Sequence, residues 1–184
     1  MMKTSMYVAA SLDGFIARPD GDISWLESIE GAAEDYGYQD FYETVDCLVM
    51  GGKTFRQMCA FSKWPYTGKA TWVYSRSPVL TDIPGVFHVG MPPKILVKQL
   101  KDEGKQHLWV LGGGEIHSLF LRAGFIDEIR LFIMPLALGE GIPLFAPPLQ
   151  GRRWRLADLR RWNGDMAELR YVRPDDGEPV RQQS

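Results

Sequence analysis

Two stretches of the chain run from an apolar segment through a glycine cluster into a helix-like pattern: "CLVMGGKTF" (47–55) and "LWVLGGGEIH" (108–117). Glycine forfeits backbone entropy on folding and adds no side-chain packing, so consecutive glycines mark places where a side chain would be in the way. Past the carboxyl end of a parallel strand, such a turn faces the crevice where open α/β sheets bind ligands. The helix that follows offers unpaired N–H groups and the positive end of its dipole, which suits phosphate. One cluster alone reads equally well as a tight turn; two matching clusters favour a phosphate-bearing ligand. Between them, "TWVYSRSP" (71–78) places Ser75, Arg76 and Ser77 just past another strand-like run. An arginine fork with flanking hydroxyls suits an adenosine 2′-phosphate, where NAD-selective sites more often carry an acidic residue. Taken alone, Ser-Arg-Ser is also an ordinary solvated turn.

Familiar phosphate motifs do not fit. A Walker A loop ending at Gly52-Lys53-Thr54 would need its first glycine at position 47, which is Cys47, and the residues between are strand-like "LVM". The third glycine of a G-x-G-x-x-G turn starting at Gly112 would fall at His117. A phosphotransferase using "GGKT" is therefore disfavoured. The H-x-E with P-C-x-x-C signature of zinc deaminases is absent too.

The surrounding chain must position these turns. Its 184 residues suffice for one sizeable core; 45% are hydrophobic, 24% are charged, and the net charge is −2. That balance argues against nucleic-acid or anionic-membrane binding. Cys47 and Cys59 make neither a disulfide framework nor a zinc site, and no leader or membrane-spanning run is seen, so a cytoplasmic location is expected.

Strand and helix patterns alternate, which predicts an α/β fold. Strands are expected at 6–10, 47–51, 70–75, 86–89, 107–111 and 127–138, the last with Pro135 implying an edge or a bulge. Helices are expected over about 33–45, from Thr54, over 92–104, and from the second glycine cluster to Gly124. Asn163-Gly164 between two strand-like arms signals a type I′ hairpin. One domain over 1–173 is expected, followed by a polar tail, 174–184. The five arginines within 152–161 read as a solvated strand face, and His88, His107 and His117 as structural or exposed.

With "VAASLDGFIA" (8–17) ahead of these turns and "LGEGIPLF" (138–145) after them, the chain resembles the dihydrofolate reductase superfamily over about residues 5–173. The nearer likeness is to its RibD C-terminal branch, the reductase domain of the riboflavin-biosynthesis deaminase-reductase. The resemblance implies a three-layer α-β-α fold with a mixed, mostly parallel sheet and a C-terminal antiparallel hairpin. It implies NADPH as cofactor and hydride transfer to a pteridine- or pyrimidine-like substrate. Gly112, Gly113, Gly114, Glu115 and Ile116 would then lie along the cofactor diphosphate, and Gly51, Gly52, Lys53 and Thr54 on its other side. Ser75 and Arg76 would hold the 2′-phosphate, with Ala10 and Ile16 flanking the nicotinamide. Trp25 would stand near the cofactor, or else serve as a core or lid tryptophan.

Reduction also needs a proton. The first helix offers Glu34, Asp35, Asp40 and Glu43; Asp35 is the candidate acid, with an exposed helical carboxylate and a water donor as the alternatives. Asp13 reads as a turn former ahead of Gly14. Three departures from the family pattern bear on the ligand. Gly52 stands where many members have arginine, Leu111 where riboflavin-pathway enzymes have glutamate, and Ile23 where they often have serine. These weigh against the pathway substrate, 5-amino-6-(5-phosphoribosylamino)uracil, which stays as an alternative beside a non-catalytic NADP(H)-binding module. The apolar "IRLFIMPLAL" strand (129–138) offers a surface for a homodimer.

Overall fold

The structure, a computed structural model, describes residues 2–27 and 35–174. Among the described residues, ten strands and four α-helices follow one another: β1 (Lys3–Ala10), β2 (Phe15–Ala17), α1 (Tyr38–Thr44), β3 (Cys47–Gly51), α2 (Gly52–Cys59), β4 (Ala70–Tyr74), β5 (Val86–Val89), α3 (Pro93–Asp102), β6 (His107–Gly112), α4 (Gly114–Arg122), β7 (Glu128–Ile133), β8 (Ile142–Pro143), β9 (Arg155–Arg161) and β10 (Ala167–Val172). Eight of the strands form one sheet in the order β5-β4-β3-β6-β1-β7-β10-β9. From β5 to β7 every pairing is parallel; β10 runs antiparallel to both β7 and β9. β2 and β8 form a small antiparallel ribbon of their own.

Alternation along the central strands explains the layering, because successive strand residues face opposite sides. Cys47 and Val49 of β3, with Leu108 and Val110 of β6, pack with Leu96, Leu100 and Phe120 from α3 and α4. Their neighbours Leu48, Met50 and Trp109 pack instead with Phe41, Phe55 and Met58 from α1 and α2. Both faces are therefore buried, as the unbroken apolar run "CLVM" requires. This is the three-layer, mixed and mostly parallel arrangement expected.

Several local expectations are corrected. α1 begins only at Tyr38, because Gly37 adopts a left-handed conformation (φ 73°) that no α-helix can include. β7 stops at Ile133: Met134 donates to Ala10 O at 2.9 Å, and Pro135 beyond it has no N–H to continue the ladder. β7 is also an interior strand, between β1 and β10, so it is not an edge; the sheet's edges are β5 and β9. The C-terminal hairpin is present, but its turn is longer than a two-residue type I′ loop. Asn163–Asp165 link the arms, with positive φ at Gly164 and Asp165 and Trp162 N donating to Met166 O. Cys47 is buried, Cys59 exposed, and both thiols are free. The tail beyond 174 and Glu34 lie outside the described residues.

Candidate functional site

β4, β3, β6 and β1 are consecutive in the sheet and parallel, so their carboxyl ends emerge side by side. That edge gathers Ser75 and Arg76 after β4, the Gly51–Thr54 turn after β3, the Gly112–Ile116 turn after β6, and Ala10 at the end of β1. The two glycine turns touch. The hydroxyl of Thr54 accepts the Gly113 N–H at 3.0 Å. A β-carbon on Gly51 would stand 3.2 Å from Cγ1 of Ile116, so the bare Gly51 lets α4 pack against the neighbouring turn.

The three consecutive glycines have three different reasons. Gly112 has φ +126°, and a β-carbon there would meet Nε2 of His117 at 2.8 Å. Gly114 passes beneath Pro143, whose carbonyl oxygen would lie 2.1 Å from an added β-carbon. Both are buried and both are required by the protein's own packing. Gly113 differs: it is part-exposed, its φ is −70°, and an added β-carbon would meet nothing nearer than Ile16 Cδ1 and Thr54 Oγ1 at 3.6 Å. Of the three, Gly113 is therefore the one whose bareness the protein's own packing does not require. The peptide bond between Gly112 and Gly113 is cis. Beyond it, the amides of Gly114 and Glu115 begin α4 and have no carbonyl one turn earlier in the helix. The Glu115 side chain is exposed; its carboxylate suits a helix start but would repel an anion, so the main chain is what this residue can offer.

A buttress holds the turn from behind. His117 is fully buried, with Nδ1 3.2 Å from Leu144 O and Nε2 3.1 Å from Leu111 O. A neutral imidazole donates to only one of these carbonyls. The two acceptors favour a second proton, but burial opposes it more strongly and pushes the ring's pKa down to about 4. In front, Asp13 ties the "SLDG" loop to the "LGEG" segment. Its carboxylate accepts the amides of Leu138 at 3.0 Å and Gly139 at 2.6 Å, and the Ser11 hydroxyl at 2.5 Å. Those hydrogen bonds, the one from Ser11 first, hold the carboxyl at about 2. Asp13 thus shapes the turn as expected, and does so across the chain. The β2–β8 ribbon completes this cover, with Ile16 part-buried on it.

Not all of the expected site residues converge. Trp25 is buried with Phe132, Met134 and Met166, on the β7 side of β1 and away from the glycine turns. Asp35 is exposed; its carboxylate accepts the amides of Gly37 at 2.9 Å and Gln39 at 3.1 Å, and these hold it below the usual carboxylate range. It caps the entry to α1 and is kept ionised, the opposite of what a neutral-pH acid needs. Leu111 belongs with the apolar cluster under α1 and α2. Lys53 and Arg76 are exposed. His88, also exposed, lies with Nε2 2.8 Å from Ser75 O. Arg56, which the sequence reading passed over, has its guanidinium beside Gly52: Nη1 would be 3.6 Å from a β-carbon there. Its only sequence signal is the i to i+4 spacing from that glycine.

Among the described residues, no group of three His, Cys, Asp or Glu side chains is arranged to hold a metal ion, and no helix is long and apolar enough to cross a membrane. Residues 67–167 match the RibD C-terminal domain family. YwjB of Bacillus subtilis, an uncharacterized protein, is 36% identical over 172 residues, covering 93% of this chain and 98% of that one. A solved protein of Shewanella sp. PV-4, named for riboflavin biosynthesis, superposes with a TM-score of 0.86 at 29% identity, over 94% of this chain and 99% of that one. The diaminohydroxyphosphoribosylaminopyrimidine deaminase/5-amino-6-(5-phosphoribosylamino)uracil reductase of Thermotoga maritima shares the fold, with a TM-score of 0.72 at 14% identity, over 94% of this chain and 57% of that one. By sequence and by its dihydrofolate reductase-like fold, the chain belongs to the RibD C-terminal domain family.

Proposed function

We propose that the protein is an NADPH-dependent reductase acting on a small pteridine- or pyrimidine-like heteroaromatic compound. The observation that carries this reading is the convergence, on adjacent carboxyl ends, of two glycine turns that open helices and of the Ser75-Arg76 turn. The residues fit the cofactor: Gly113 leaves main chain bare, Gly51–Thr54 border it, and Ser75 and Arg76 supply hydroxyl and guanidinium for a 2′-phosphate. NADPH, when bound, supplies a hydride.

The chain's own contribution is positioning and exclusion of water. Ala10, fully buried at the end of β1, and Ile16, on the β2–β8 cover, would supply the apolar floor for the nicotinamide. With Asp35 engaged as a cap, we assign the proton to water. Leu111, packed among apolar side chains, offers no carboxylate to grip a ribosyl chain. This favours a substrate without a phosphoribosyl group over the uracil intermediate named for the Thermotoga enzyme.

The test is calorimetric titration with NADPH and NADH, followed by NADPH oxidation against a panel of pterins and aminopyrimidines with and without phosphoribosyl groups. Tighter binding of NADPH and turnover of an unphosphorylated heterocycle are expected. Equal affinity for both coenzymes would refute the cofactor assignment. Binding of NADPH without turnover of any compound would favour a non-catalytic NADP(H)-binding module.

A further inference from the structure

We infer that Arg56 is a specificity-determining residue that binds the cofactor's 2′-phosphate through the gap left by Gly52; this rests on the NADPH-binding reading above. Side chains on an α-helix lean toward its N-terminus, so a residue at i+4 covers the surface over residue i. In α2, Arg56 stands four residues after Gly52. Because Gly52 has no side chain, the arginine reaches back over an empty position. Its Nη1 lies 3.6 Å from the point a β-carbon would occupy, and Oγ of Ser75 lies 3.1 Å from the same point. The guanidinium and the hydroxyl therefore border one gap, where the ends of β3 and β4 meet.

Three cations surround that gap or adjoin it in sequence: Lys53, Arg56 and Arg76. All three are exposed, and none pairs with a carboxylate of any described residue. Ser75 is held in place by its main chain, since its carbonyl receives Nε2 of His88 at 2.8 Å and its hydroxyl receives the Ser77 amide at 3.3 Å. A hydroxyl that shares one gap with a guanidinium, with Arg76 the next residue in sequence, is a site for a doubly charged phosphate monoester, which accepts hydrogen bonds from the fork. A ribose hydroxyl would leave the Arg56 guanidinium uncompensated, so the arrangement discriminates between the two coenzymes. Lys53, a point charge on the first turn of the same helix, adds attraction but no fork geometry.

The experiment uses the full chain and two variants, Arg56→Gln and Arg56→Lys, titrated with NADPH, NADH, adenosine 2′,5′-bisphosphate and adenosine 5′-monophosphate. Because Arg56 is exposed, both variants are expected to melt as the wild type does. Arg56→Gln should weaken NADPH and the bisphosphate by about ten- to hundred-fold, the range of a lost charge-assisted hydrogen bond, and leave NADH and the monophosphate within about twofold. Arg56→Lys should fall between. A wild type that prefers NADPH and an Arg56→Gln variant that keeps the full preference would overturn the role of Arg56 while leaving the dinucleotide site standing. Equal weakening of NADPH and NADH would also overturn it, since the contact would then lie elsewhere on the ligand. A wild type that binds neither coenzyme would remove the site itself.

Discussion

Adding one methyl group at each of Gly112, Gly113 and Gly114 in turn should separate what the fold requires from what a ligand requires. At Gly114 the added β-carbon would begin 2.1 Å from the Pro143 carbonyl oxygen, where real β-carbons essentially never come within 3.0 Å. Pro143 cannot simply withdraw, because β8 is paired with β2 across the same cover. Overpacking of this kind costs about 1–3 kcal/mol or more. In a chain of this length that lowers Tm by roughly 2–4 °C per kcal/mol, so a fall of about 2–12 °C is expected for Gly114→Ala. Gly112→Ala should do similar damage, since φ +126° strains any L-residue by about 1–3 kcal/mol and the methyl would press on His117. Gly113→Ala should leave Tm within about 2 °C, because its φ of −70° is open to alanine and the nearest atoms stand at 3.6 Å. Its effect should appear on NADPH instead. On the proposed reading, a methyl at Gly113 would hold the diphosphate off the α4 amides, and losing one charge-assisted hydrogen bond already weakens binding by about tenfold or more. The assays are thermal unfolding without ligand and calorimetric titration. A stable Gly113→Ala protein that binds NADPH as tightly as the wild type would refute the role proposed for Gly113.

Further outcomes can be checked on the same preparations. Thr54→Val removes the acceptor of the Gly113 N–H and should cost about 1–2 kcal/mol in urea unfolding, with Thr54→Ser close to wild type. The depressed pKa of His117 means that between about pH 6.5 and 4 the unfolded chain binds a proton the folded chain does not. Tm should therefore fall as pH drops through that window, and His117→Gln should flatten the decline. Asp13, held at about 2, is ionised in the folded chain at pH 4; its contribution is present above its unfolded value near 4 and is lost as pH falls toward 2. At neutral pH, Asp13→Ala should speed hydrogen exchange at the amides of Leu138 and Gly139, measured by NMR.

Most of the sheet was legible because each of its apolar strands carries its own signal. "CLVM" announces burial on both faces within four residues, and the helix from Pro93 to Asp102 shows its proline start and its glycine stop locally. The β2–β8 ribbon was not legible. Its strands of three and two residues are too short for any periodicity, and what defines them is a pairing across more than a hundred residues of chain. The end of β7 was misplaced for a related reason: the apolar run continues past Ile133, but the ladder ends because Pro135 cannot donate to it. Asp35 carried two meanings that only geometry separates, since an acid and a helix cap are the same side chain with different neighbours.

The glycine clusters show how far a missing side chain can be interpreted. A glycine records that something is close, not what it is. Here Gly112 and Gly114 answer to His117 and Pro143, and Gly51 answers to Ile116. The distinctive segments "SLDGFIA" and "LGEGIPLF" also fit one another: Asp13 holds the Leu138 and Gly139 amides, and β2 pairs with β8. Gly141 completes the pattern, with an added β-carbon falling 2.3 Å from the Ala17 carbonyl oxygen. Much of what looks like a ligand signature is thus a packing agreement between two covers and the turn beneath them. What packing leaves unexplained is smaller: the bare Gly113, and the Arg56 guanidinium near Ser75, which pairs with no carboxylate among the described residues. Residues that the fold does not require are where a ligand's demands show, and on that ground these positions, rather than the glycine count, carry the case for a dinucleotide.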